Sequence, residues 1–174
     1  KTSLCVAEIY NNKFYDLFQK RKQVYLRSNA NNEFQWSQLD KIQLINEHSI
    51  RKMLDTITEC RRVGISSEND RSSRSHLMIQ IQFRGKFIRI LDLAGCEKAQ
   101  RAICTTRKEY YENGEINQNL FALKECIRAL LKKQEYIPYR RCELTKILKQ
   151  SFEPSNKTYI LATVSQDVMS CSTT

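Results

Sequence analysis

The chain has 174 residues, of which 41% are hydrophobic and 28% are charged, a composition typical of a folded globular domain. No apolar run approaches the roughly 20 residues that a membrane-spanning helix needs, and there is no secretory signal. The seven cysteines include no C-x-x-C pair and only two histidines are present. This pattern argues against a disulfide scaffold and a zinc site, and favours reduced intracellular thiols.

The charge is strongly basic, because 29 lysines and arginines face 19 acidic residues and give a formal net charge of +10. A surface of this sign favours a polyanionic partner, which could be nucleic acid, an acidic membrane or an acidic protein lattice. The net charge alone does not distinguish between these three kinds of partner.

The first half of the chain begins with a predicted strand at residues 4–10, which ends at the turn pair Asn11-Asn12. Residues 28–36 are polar and rich in asparagine, which indicates a surface loop or an irregular hairpin. Ser49 then has the features of a helix N-cap, and apolar residues recur at helical spacing until about residue 62.

The second half alternates strands and helices. Residues 75–83 alternate apolar and polar, and after a turn at 84–86 the segment 87–93 returns as an antiparallel partner. A long helix is predicted from residue 115, a shorter one from about residue 142, and a buried strand at 157–164. The long helix has an apolar stripe made of Ile116, Leu120, Leu123, Ile127, Leu130 and Leu131. Strands alternating with helices predict the α/β class.

Two segments have the residue types of phosphate chemistry: NDRSSRSH at residues 69–76 and DLAGCE at residues 92–97. An aspartate at a strand end can hold magnesium through water, and a glycine lets its amide approach a phosphate without a Cβ in the way. Hydroxyls ligate magnesium or orient an attacking water. Each segment alone is weak evidence, since the first also suits a polar loop and the second a turn.

Taken together and in this order, the segments resemble the kinesin motor domain. The first fits the switch I pattern N-x-x-S-S-R-S-H, and the second fits switch II, D-L-A-G-S-E, except that Cys96 replaces serine. Three further blocks also resemble family segments: AEIYNNKFYDLF, ENGEINQNLFALKECI and IPYRRCELTKIL. The resemblance implies a P-loop NTPase-like α/β fold with a mixed central sheet flanked by helices on both faces.

The resemblance also implies roles for individual residues and the cofactors ATP and Mg²⁺. Ser73 would ligate magnesium, Asp92 would hold it through water, and Ser72 would lie beside the attacking water. The ion pair between Arg74 and Glu97 would close the switches. The remaining nucleotide contacts would come from Asn69 and from the amide of Gly95, which would sense the γ-phosphate.

The same resemblance identifies the polyanionic partner as tubulin, with no role for nucleic acid or membrane. The relay helix at about 115–133 and the loop and helix at about 132–152 would face the microtubule. The expected contacts are Lys98, Arg101, Lys124, Glu125, Arg128, Lys132, Lys133, Arg140, Arg141 and Lys146. ALKECIRAL at 122–130 resembles the internal-motor kinesins, the kinesin-thirteen group, which depolymerise microtubule ends.

The family's ATP-cradling loop, G-x-x-x-x-G-K-[ST], is absent, because the four glycines are far apart. We therefore expect residues 1–174 to be the C-terminal part of a motor domain, inactive as an isolated polypeptide, with exposed sheet edges that favour aggregation. In the complete protein we expect a microtubule-stimulated ATPase located in the cytoplasm on microtubules, with the spindle as one candidate site and homodimerisation through regions outside this chain.

Two alternatives stay open: a kinesin-homology module that binds microtubules without hydrolysing nucleotide, and an ordinary walking kinesin. A small GTPase would share D-x-x-G but would require the guanine-reading N-K-x-D, which is missing.

Overall fold

The computed structural model describes residues 2–30, 34–44, 46–62, 74–95 and 107–162. Its strands are β1 (Thr2–Tyr10), β2 (Lys13–Asp16), β3 (Lys22–Ser28), β4 (Phe34–Ser37), β5 (Ile42–Leu44), β6 (His76–Phe83) and β7 (Lys86–Asp92). The helices are α1 (Glu47–Arg62), α2 (Arg107–Leu131) and α3 (Glu143–Leu148), with 3₁₀ turns at Tyr139–Arg141 and Lys149–Phe152. Within these ranges no helix has the length and apolar character needed to cross a bilayer.

The strands form one sheet in the order β4-β3-β2-β1-β6-β7, and β5 also pairs with β1. Every pairing between described strands is antiparallel. Strand β1 lies in the middle and is buried from Leu4 to Ile9. The predicted β6–β7 hairpin is confirmed, with its turn at Arg84-Gly85 in the left-handed region that glycine tolerates best.

Helices cover both faces of the sheet, as predicted. Because successive side chains of a strand point to opposite faces, Leu4 and Val6 pack with Met53 and Ile57 of α1. Cys5, Ala7 and Ile9 belong to the other core, together with Ala122 of α2 and the apolar residues Leu144, Ile147 and Leu148 of α3. The α/β class is therefore confirmed.

The start of α1 differs from the prediction that Ser49 is its N-cap. The helix begins at Glu47, and the Asn46 side chain accepts a 2.9 Å hydrogen bond from the Ser49 backbone N–H. Asn46 thus supplies the capping oxygen, and Ser49 lies in the first turn. Of the predicted apolar residues Met53 and Ile57 are buried, whereas Ile50 and Leu54 are exposed.

Helix α2 begins at Arg107, eight residues before the predicted start, and runs through Gly114. A helical glycine costs about 1 kcal/mol relative to alanine, which is why the sequence indicated a later start. The contacts of buried Glu112 with Arg74 and Tyr10 hold this first part of the helix to the sheet. The buried line of α2 includes Ile116, Asn119, Ala122, Cys126 and Ala129, whereas Leu131 of the predicted stripe is exposed.

The predicted buried strand at 157–164 is wrong for its described part, residues 157–162, which form no strand. The Tyr159 side chain is 85% exposed and that of Leu161 is 95% exposed. A strand needs the hydrogen bonds of a neighbour, and no described strand pairs with this segment. Residues 163 and 164 lie outside the described residues.

The outer edge of β7 pairs with no described strand, and its Ile88 and Ile90 side chains are 65% and 52% exposed. We therefore expect the isolated 174-residue chain to self-associate through this edge. The double substitution Ile88→Lys with Ile90→Lys should raise the monomer fraction in light scattering, because inserted charges disfavour edge-to-edge pairing. The matched control is Tyr25→Lys, an exposed aromatic on β3; an equal gain from the control would contradict this prediction.

Candidate functional site

The β6–β7 hairpin brings the two phosphate-chemistry segments to one edge of the sheet. Leu77 of β6 lies opposite Asp92 of β7, so the residues that enter β6 are next to those that leave β7. Segments separated by about twenty residues in sequence therefore meet because the strands run antiparallel. We call the described residues 74–76 and 92–95 the switch edge.

His76 joins the two segments of the switch edge directly. Its Nδ1 accepts a 3.0 Å hydrogen bond from the backbone N–H of Ala94, the residue before Gly95. The side chain is 1% exposed, and burial lowers its pKa to about 4, against a smaller raising effect of the Asp92 carboxylate. The imidazole is therefore neutral near pH 7, with its proton on Nε2, and Nδ1 is an acceptor.

Nε2 of His76 has no hydrogen-bond partner among the described residues. The role of His76 was not assigned from the sequence, although the residue ends the N-x-x-S-S-R-S-H segment. The available signal was a polar aromatic residue placed at the start of an apolar strand, where a buried side chain needs a specific partner.

Arg74 contacts helix α2 at the same edge. Its Nη1 lies 3.2 Å from Oε2 of Glu112, and the two side chains are 17% and 10% exposed. The Tyr10 hydroxyl at the end of β1 donates to Oε1 of Glu112. The arrangement ties the arginine of the first segment to a strand and to a helix at once. Glu112 was not predicted, although its position one turn before buried Ile116 places both on one helix face.

Several predicted site residues lie outside the described residues: Asn69, Ser72, Ser73, Glu97, Lys98 and Arg101, together with Cys96. The Arg74–Glu97 ion pair therefore stays a prediction. Of the described members, Asp92 is exposed at the end of β7 and Gly95 is half-buried three residues later.

Among the described members of the predicted magnesium-nucleotide site, Asp92 is the one whose side chain suits the ion. The exposed Asp92 carboxylate supplies the hard oxygen that Mg²⁺ prefers. No group of three His, Cys, Asp or Glu residues suited to a metal occurs in the described part of the chain. Magnesium bound together with nucleotide phosphates usually takes one or two protein carboxylates and completes its ligands with phosphate oxygens and water.

The described basic residues predicted to contact tubulin lie on α2, α3 and the connection between them. Arg128 pairs with Glu125 at 3.2 Å, and Lys146 pairs with Glu143. The other members, Lys124, Lys132, Lys133, Arg140 and Arg141, are exposed. We call this set of residues the basic surface.

Helix α3 is held to the sheet by a side chain from the β1–β2 turn. The backbone N–H of Glu143 donates a 2.9 Å hydrogen bond to Oδ1 of Asn12. The Thr145 hydroxyl lies 2.8 Å from the carbonyl oxygen of Tyr139 and 3.0 Å from that of Cys142, so the two carbonyls share its single proton. The Asn12 bond satisfies one of the backbone amides that the first turn of a helix leaves unpaired, and it holds α3, which carries Lys146 of the basic surface, to the sheet.

The sheet carries helices on both faces, and the described ends of the two motif segments meet at one strand edge. The model of the kinesin motor domain matches residues 1–174, and the chain belongs to that family. The mouse and human kinesin-like protein KIF24 are each 37% identical over 164 residues, covering 91% of this chain. The chain spans only 12% of the length of these relatives.

Solved structures share the fold. A microtubule-bound two-headed KIF14 dimer with AMP-PNP superposes with a TM-score of 0.72 at 24% identity, over 86% of this chain and 48% of that one. A fast kinesin, described for its ATPase mechanism and its interactions with microtubules, gives a TM-score of 0.68 at 25% identity, over 86% and 46% of the two chains.

Proposed function

We propose that residues 1–174 are part of an ATP-hydrolysing, microtubule-binding kinesin motor in which they supply the two switches, the relay helix and the tubulin-facing surface. The observation that supports this most is the switch edge, where the β6–β7 hairpin sets residues 74–76 beside 92–95. ATP and Mg²⁺ are the proposed cofactors, tubulin is the partner, and microtubules in the cytoplasm, including the spindle, are the proposed location.

The chemistry assigned to the switch edge is positioning and charge neutralisation. Ser73 and Asp92 would hold magnesium, which screens the phosphate oxygens when bound. Ser72 would orient the attacking water, and the Gly95 amide would bond a terminal phosphate oxygen. Arg74 would close onto Glu97, with Asn69 as a further nucleotide contact.

Neutral His76 fits this proposal, because its bond to the Ala94 amide fixes the backbone that leads into Gly95. A phosphate-sensing amide has to point at its ligand before binding, since reorientation during the reaction would cost free energy. His76 would thus hold the loop without touching nucleotide.

The test is co-sedimentation of the complete protein with microtubules in the presence of AMP-PNP or ADP. A nucleotide-gated motor is expected to bind microtubules with affinities that differ between the two nucleotides. The reason is that the nucleotide-dependent conformation of the switches would change how the basic surface contacts the microtubule. Equal affinity in both nucleotides would contradict the motor and favour a module that binds microtubules without hydrolysis.

We further propose that the motor depolymerises microtubules, on the basis of the K-E-C stretch at residues 124–126 of α2. Stabilised microtubules mixed with the complete protein and ATP should shorten from their ends. Directional gliding without shortening would contradict this subfamily and favour a walking kinesin.

Charge reversal on the basic surface should weaken microtubule binding, because it removes positive charges that attract acidic tubulin over long distances. We expect Lys132→Glu with Lys133→Glu to lower the affinity by about tenfold at low salt, or about 1.4 kcal/mol, and by less at high salt, where screening is stronger. The measurement is co-sedimentation across a salt series. Lys22→Glu with Lys86→Glu, two exposed lysines of β3 and β7, is the matched control. An equal loss in the control would show that only net charge matters.

A further inference from the structure

A charged side chain lies on the core-facing side of strand β7, where the alternation of half-buried and exposed residues predicts an apolar one. Exposure alternates along β7, with Phe87, Arg89 and Leu91 half-buried and the residues between them exposed. Leu91 packs against the core that contains α3. Arg89 therefore lies on the face toward α3, three residues before Asp92.

The guanidinium of Arg89 bonds to both the sheet and the segment after α3. Its Nε and Nη2 donate to Oε1 of Gln80, the cross-strand neighbour on β6, at 3.1 and 2.7 Å. Its Nη1 donates to the backbone carbonyl of Ile147 at 2.7 Å and to the hydroxyl of Ser151 at 3.2 Å. The group also lies 4.8 Å from the centre of the Phe87 ring.

These contacts explain how a charge is kept at this position. Burial lowers the pKa of Arg89 to about 10, so the group is still protonated near pH 7. A buried cation is tolerated only when its donors are bonded. The Ile147 carbonyl belongs to the last turn of α3, whose carbonyls lack helical partners and attract a positive charge.

Helix α3 is thus hydrogen-bonded to the sheet near both of its ends. Asn12 bonds the Glu143 amide at its start, and Arg89 bonds the Ile147 carbonyl near its end. The strand that supplies Arg89 is the one that delivers Asp92 to the switch edge. A shift of β7 toward or away from the core would therefore change the bonds at the end of α3.

We propose that Arg89 is a positioning residue that couples the β7 strand ending at Asp92 to helix α3, so that contact of α3 with the microtubule is transmitted to the switch edge. This coupling rests on the proposed function. By thermodynamic linkage it acts in both directions: nucleotide state alters microtubule affinity by the same factor by which microtubules alter nucleotide affinity.

The experiment compares Arg89→Met with wild type in the complete motor protein, measuring ATP turnover without and with saturating microtubules, and the melting temperature. Methionine keeps much of the apolar stem and removes all the donors. We expect the microtubule-stimulated rate to fall at least about fivefold, or about 1 kcal/mol of activation free energy, while basal turnover stays within about twofold. Lys86→Met, an exposed lysine on the same strand, should leave both rates unchanged.

Two milder variants keep the test decisive if Arg89→Met does not fold. Arg89→Lys retains a donor but loses the fork to Gln80, and Ser151→Ala removes only the 3.2 Å bond. Both should lower stimulation by less than Arg89→Met and leave basal turnover intact. Equal losses in basal and stimulated turnover, following the melting temperature, would indicate a merely structural role and overturn the coupling.

Failure of the coupling is distinguishable from failure of the proposed function. A stimulated wild type whose Arg89→Met variant is stimulated equally overturns the coupling alone. A wild type whose turnover does not respond to microtubules overturns the proposed function and the coupling with it.

Discussion

Substituting Glu97→Ala in the complete motor protein is expected to stop turnover after ATP has bound. Glu97 is proposed to close onto Arg74 and so to complete the charge arrangement around the terminal phosphate. Loss of one such preorganised group typically lowers kcat by about 100-fold or more, about 2.7 kcal/mol. Steady-state turnover and binding of a fluorescent ATP analogue would separate the two steps: binding should persist while turnover falls.

The matched control for this prediction is Glu112→Gln, which changes the charge of the carboxylate that Arg74 contacts at 3.2 Å. The glutamine oxygen can still accept from Arg74 while its NH2 donates to the Tyr10 hydroxyl, so we expect a smaller loss of turnover than for Glu97→Ala. Unchanged turnover in Glu97→Ala would refute its assigned role. A larger loss in Glu112→Gln would instead identify Glu112 as the principal partner of Arg74.

Substituting His76→Leu is the second change with a large expected effect. Leucine removes the acceptor for the Ala94 amide, leaving a buried N–H without a partner, which costs about 1–3 kcal/mol. His76→Asn is the matched variant, because the asparagine Oδ1 occupies nearly the position of Nδ1. We expect turnover by the complete protein to fall in His76→Leu and to be largely retained in His76→Asn. Equal losses would contradict the acceptor role.

The pH dependence gives a second readout of His76. Its pKa is lowered from 6.5 to about 4 in the folded protein, so the unfolded state binds the proton more tightly. The stabilisation is fully present above pH 6.5 and is lost as the pH falls toward 4, by about 3 kcal/mol in total. Thermal unfolding of the complete protein between pH 7.5 and 4.5 should show a smaller acid loss in His76→Asn than in wild type. An identical acid loss would contradict a buried neutral His76.

The strands that pair locally could be predicted from the sequence. The β6–β7 hairpin has clear alternation on both sides of an Arg-Gly turn, and its paired residues are only 3 to 15 positions apart in sequence, from Phe83–Lys86 to Leu77–Asp92. The segment at residues 157–162 has an equally apolar sequence, yet it forms no strand. Apolar character indicates burial only where a partner strand is available, and that information is not local.

The sequence indicates which residue types belong to the candidate site, but not which distant residues they contact. Arg74, Asp92 and Gly95 were proposed from the spacing of the two motifs, and their roles stay predictions, although the β6–β7 hairpin does bring the two segments to one edge of the sheet. The distant partners could not be predicted: Glu112 is 38 positions from Arg74, and Ile147 is 58 positions from Arg89. Such pairs depend on how α2 and α3 pack on the sheet. The spacing of apolar residues in the sequence does not predict that packing.

The switch edge is proposed to belong to an ATPase that responds to microtubules. The most direct test is ATP turnover by the purified complete protein across a series of microtubule concentrations. We predict turnover that rises with microtubule concentration to a plateau and is lost in Glu97→Ala. A protein that binds microtubules with no ATP turnover at any concentration would contradict the claim.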